Sequence, residues 1–168
     1  MLKEKLELYL QRYLVVEEAF EQQDYCRSER KKKSMFFGSA PVECQSISTY
    51  IEENKEEDKF QTKLFSYIDK KNLKDSDVYN KVNIDRRLFS KIRSNEDYHP
   101  SKETIILLGI ALELTEQEIE ELLSSASYSL PKNNTYDLII RFCFKERIYD
   151  LSKINEFLYD HNCKILNE

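Results

Sequence analysis

Glycine is nearly missing from this chain: there are two in 168 residues, alongside three prolines. That leaves little material for tight hairpins, and a strand-rich fold is disfavoured. No C-x-x-C pair occurs among Cys26, Cys44, Cys143 and Cys163, and the only histidines are His99 and His161. Zinc-ribbon and other dense metal spacings are therefore excluded, and four scattered cysteines read as reduced thiols of a cytoplasmic protein. Long apolar runs are absent too. "TIILLGIALEL" and "LIIRFCF" are too short or too interrupted to span a bilayer, so no membrane segment is expected. There is no glycine-rich phosphate loop and no nucleophile, base and orienting group at recognisable spacing. No enzyme, cofactor or metal site is expected; "DHNCK" sets His161 near Cys163 without further ligands, and "ELTEQEIEEL" reads as the solvated face of a helix.

What the chain has is charge and helical periodicity. Charged residues make up 34% of it and the formal net charge is -5, so a nucleic-acid site would have to be a local patch. Leu, Glu, Lys and Ile abound, which favours an all-α fold. Leu2, Leu6, Tyr9, Tyr13, Val16 and Phe20 recur at spacings of four and three and predict a helix from Leu2 to about Gln22 with one apolar seam. The seam has two readings: a surface docked on the rest of the chain, or a short coil pairing two copies in a homodimer. The basic run Arg27, Arg30, Lys31, Lys32 and Lys33 and a Gly-Ser-Ala-Pro break then suggest a linker; the run is either solvated or an arm along phosphates. "SISTYIEENKEEDKF" offers a short helix with Ile47, Tyr50 and Ile51 on one side. These breaks divide the chain into an N-terminal helix and linker (1–47), a helical domain (48–130) and a C-terminal extension packed on it (131–168).

From Phe60 the amphipathic stretches crowd together. Ser101 can cap a helix starting at Lys102, in which Gly109 allows close packing, and "TEQE" pairs Thr115 with Glu118 as a capping box for a helix reaching about Ser125. "YDLIIRFCFKER" and "LSKINEFLYDH" supply two further helices.

The most informative stretch is "LKDSDVYNKVNIDRRLFSKIRSN". Asn83 tolerates a left-handed turn, Ile84 can fill the angle between two short helices, and Asp85 can cap the second. Val78, Val82, Ile84, Phe89 and Ile92 then fall inward, and Phe65, Leu88, Leu108 and Leu112 are expected to be mostly buried with them. Arg86, Arg87, Ser90, Lys91 and Arg93 stay outside. With its neighbours this stretch resembles the repressor-like helix-turn-helix family of XRE or Cro type over about Thr62 to Leu130. The resemblance implies a five-helix core whose helix Asp85–Ser94 lies in the major groove of duplex DNA, as in a transcription regulator of bacterial or phage type. By position, Arg86 and Arg87 meet base edges and Lys91 faces bases one turn on; Ser90 is exposed with them, Arg93 toward the helix end mainly meets phosphate, and Lys102 belongs to the same candidate nucleic-acid-binding set. From Ser48 onward the chain also resembles a helical module at the C-terminal end of some bacterial macro-domain proteins, which implies a setting in bacterial stress or phage defence. The competing reading keeps the helical fold but presents it to a protein partner, as an adaptor. The two differ in charge layout: DNA needs Lys63, Lys81, Arg86, Arg87, Lys91, Arg93 and Lys102 on one face, whereas Asp75, Asp77, Glu96 and Asp97 within that face favour the adaptor.

Overall fold

A computed structural model describes residues 1–21, 59–95 and 98–167, with the side chains of the first helix described as far as Leu14. The linker with Arg27–Lys33, the short helix expected around Ile47–Ile51, Glu96 and Asp97 lie outside the described residues, as do the side chains of Val16 and Phe20 and the start of the 48–130 domain.

Among the described residues there are eight helices and no strand: α1 (Leu2–Glu21), α2 (Phe60–Lys70), α3 (Asp75–Lys81), α4 (Arg86–Ser94), α5 (Lys102–Ala111), α6 (Glu116–Ser125), α7 (Thr135–Lys145) and α8 (Leu151–Asp160). The described part of the protein is all-α. The caps read in the sequence form: Ser101 accepts from the Thr104 N–H, and Thr115 and Glu118 make a reciprocal capping box at the start of α6. The Thr115 amide, the largest influence on it, holds the Glu118 carboxyl below its ordinary value.

Helix ends are built with almost no glycine. Asn72, Asn83, Glu113, Ser127, Arg147 and Asn162 each adopt positive φ just past α2, α3, α5, α6, α7 and α8. In each case the next residue's N–H reaches back to the last turn, as Ile84 does to the Tyr79 carbonyl at 2.9 Å and Ile148 to that of Cys143 at 2.8 Å. These reverse contacts satisfy carbonyls a helix end leaves orphaned, and after α3 and α5 they turn a hydrophobic residue, Ile84 and Leu114, into the core.

One buried cluster joins all the helices, from Leu6 and Leu10 of α1 to Leu166 after α8. α5 is its axis, with every residue from Ile105 to Leu112 buried. Gly109 lets α5 approach α6 and α7, because a Cβ built there would lie 2.5 Å from Ile119 Cδ1 and 3.1 Å from Phe144 Cζ. α2 packs on α6, α3 on α5, and α7 on α6 and α8.

α1 docks on α7 through Leu6, Leu10, Tyr9, Tyr13 and Leu14, so the stretch of the seam from Leu6 to Tyr13 packs on the chain itself. Leu2, placed in the seam by its spacing, is 46% exposed, while Leu10, outside that pattern, is 4% exposed. Leu6 and Leu10, four positions apart, lie on one face of the helix one turn from each other.

Finally, the segment after α8 folds back over the molecule. Leu166 is buried, its N–H and C=O both bonded to the Asn155 side chain at 2.9 and 3.1 Å. The Asn167 N–H donates to Glu103 at 3.1 Å, and its side-chain amide donates to the Val82 carbonyl, in the turn below α4.

Candidate nucleic-acid interface

The surface is made by α3, the turn Val82–Asp85 and α4. Asn83 takes the left-handed conformation with φ of 53° and reverses the chain. Val78, Val82, Ile84, Phe89 and Ile92 are all buried, and they fix α4 against α3 and the core. Asp85 caps α4, its carboxylate accepting from the Arg87 N–H at 2.6 Å. Leu88 and Phe65 are half-buried rather than buried, because Phe65 forms the shoulder of this surface, its ring edge-on to Phe89 with centroids 6.2 Å apart. Tyr79 lies on Phe89 from the other side at 5.6 Å.

Buried residues at 89 and 92 leave Arg86, Arg87, Ser90, Lys91, Arg93 and Ser94 exposed on the outer face of α4. Their circumstances differ. The side chains of Arg86, Arg87 and Ser90 make no bond to any described residue. The Lys91 ammonium stands 4.3 Å over the Tyr98 ring, a cation–π contact that leaves its charge unneutralised. Arg93 is held: Nη2 donates to Asp75 Oδ1 at 2.7 Å, and its guanidinium carbon is 4.2 Å from the centroid of Phe65. Between α3 and α4 runs an open groove of about 320 Å3, lined by Asp75, Ser76, Tyr79, Arg86, Phe89, Ser90 and Arg93.

Lys102 does not join this face as a free cation. Its ammonium is 2.6 Å from Asp137, whose side chain is 3% exposed, so the pair ties α5 to α7 inside the fold. Lys81 is paired with Glu113, which Lys81 keeps below the ordinary carboxylate range. The acid Asp75 lies on the same face as Arg86, and Asp77 is exposed on α3.

No protein-family model matches this chain, and no curated protein or solved structure does either.

Sequence spacing located α4 and its cap but not the aromatic frame around it. Phe65, Tyr79 and Tyr98 come from three separate segments, and no local spacing reveals that they meet around α4. His161 and Cys163 lie in the turn after α8, where the Cys163 thiol faces the His161 carbonyl at 3.6 Å. Among the described residues no three His, Cys, Asp or Glu side chains gather as a metal site would require, and no helix is long and apolar enough to cross a membrane.

Proposed function

We infer that the chain is a sequence-reading DNA-binding regulator of the repressor-like helix-turn-helix kind, which inserts α4 into the major groove of duplex DNA. The observation that carries this is the pair Arg86 and Arg87: both stand in the first turn of an exposed, well-anchored helix, and neither side chain bonds to a described residue. An arginine without an acidic partner at the leading end of such a helix is free to fork onto the O6 and N7 acceptors of a guanine. Lys91, one turn along, is poised over Tyr98 with its charge available for a base or phosphate. Ser90 lies between them and is small enough to allow close approach.

Each good bidentate contact contributes about 1 to 3 kcal/mol of discrimination against the wrong base. The test is a titration of the full chain against duplex DNA at several salt concentrations, with Arg86→Ala and Arg87→Ala in parallel. Binding that weakens steeply with salt, and a site preference selected from a random library that relaxes in either variant, are expected. A salt-independent interaction, or preferences unaltered in both variants, would falsify the reading.

One observation favours the adaptor instead. The Asp75 carboxylate lies on the same face as Arg86, and an acid there repels phosphate while suiting a protein partner with its own cations. On that reading Arg86→Ala and Arg87→Ala abolish capture of a protein partner and leave residual DNA affinity unchanged.

A further inference from the structure

Arg93 sits on the face of α4 but is engaged from three sides. Asp75, in the first turn of α3, accepts from its Nη2 at 2.7 Å; Phe65 of α2 supports the guanidinium plane; and the Gln61 side chain donates to its carbonyl. Arg86, which lines the same groove as Asp75, and Arg87 make no ion pair with it. The acid is thus directed at one cation of three.

The pair has little structural work to do. Its side chains are 53% and 35% exposed, and ion pairs in that environment add little to stability. Phe65 and the backbone bond from Gln61 hold α4 against α2 whether or not Asp75 is charged. What the carboxylate does change is the charge of the face. A cation already neutralised by the protein adds little to counterion release, because meeting a phosphate first requires separating it from its own acid.

We propose, on the basis of the DNA reading above, that Asp75 is an affinity-limiting residue: it withholds Arg93 from the phosphate backbone, so that binding depends on the unpaired Arg86, Arg87 and Lys91. Non-specific binding comes almost entirely from phosphate contacts, so this arrangement keeps the chain from settling on arbitrary DNA.

The experiment uses the full chain with a labelled random-sequence duplex as probe, titrated between about 50 and 200 mM salt. Four proteins are compared: wild type, Asp75→Asn, Arg93→Ala and the double variant, with melting temperature as the check on folding. Asp75→Asn should bind about three- to tenfold tighter at the lower salt, and its log–log salt slope should steepen by about one, the signature of one added phosphate contact. Most of that gain should vanish when Arg93 is also alanine. If Asp75→Asn folds poorly, Asp75→Ser, also neutral and tolerated in a first helical turn, replaces it.

Affinity unchanged or weakened in the neutral variant would overturn the proposal. So would an equal gain with and without Arg93, since Asp75 would then act as a bare charge. The two readings fail separately. Binding that ignores Arg86 and Arg87 yet shows the Arg93-dependent gain sinks the base-reading role alone, whereas binding that depends on both arginines but ignores Asp75 sinks this proposal alone. Absence of binding in wild type and Asp75→Asn alike removes both.

Discussion

The Lys102 ammonium and the Asp137 carboxylate are 35 positions apart in sequence and 2.6 Å apart in space. Taking charges out of water is costly, and removing one member of a buried pair leaves the other without its partner. Lys102→Met should therefore cost about 3 kcal/mol, the lower end for removing one member of a buried pair, because the lysine retains some solvent. A chemical-denaturation midpoint measures this, and Lys102→Met with Asp137→Leu should recover much of the loss; full stability in the single variant would show that water replaces the lysine. The same pair shows which residues a sequence can place. Val78, Val82, Ile84, Phe89 and Ile92 were legible because helical period and turn chemistry are local signals. The partners of Lys102, Arg93 and Lys81 come from α7, α3 and the end of α5, and nothing in their spacing reveals which cations the fold consumes.

For single elements, starts were easier to read than stops. Asp85, Ser101 and Thr115 announce α4, α5 and α6 because a side-chain oxygen beside a free N–H is a strong local signal. Three of the stops, those after α5, α6 and α7, are carried by residues with no special claim to a left-handed conformation. Asn83 was legible as a turn residue, whereas Glu113, Ser127 and Arg147 were not. Holding an ordinary L-residue at positive φ costs about 1 kcal/mol or more, and glycine avoids the steric part of it. Arg147, at φ 56° with an exposed side chain, is the cleanest place to measure this. Arg147→Gly should stabilise the protein by about 0.5 to 1 kcal/mol, the gain being reduced by the greater freedom of glycine in the unfolded chain. A lowered thermal midpoint would mean that the Arg147 side chain contributes more than its backbone strain costs.

Across the whole molecule, α1 is part of the core. Leu6 and Leu10 are 1% and 4% exposed against α7, so cutting either to alanine should cost about 2 to 5 kcal/mol. The loss should be independent of protein concentration, because the contact is within one chain; a melting temperature that rises with concentration would instead mean that a second copy helps cover α1. The segment Ile165–Asn167 has a different consequence. Its bonds run from Asn155 of α8 to Glu103 of α5 and to the Val82 carbonyl, so a few residues late in the chain fasten the hinge on which α4 rests. Local opening in a folded protein proceeds in cooperative units rather than residue by residue. Fraying of Leu166 and Asn167 is therefore expected to join the opening of the Val82–Asp85 turn in one unit, so that the tilt of α4 depends on the segment that follows α8.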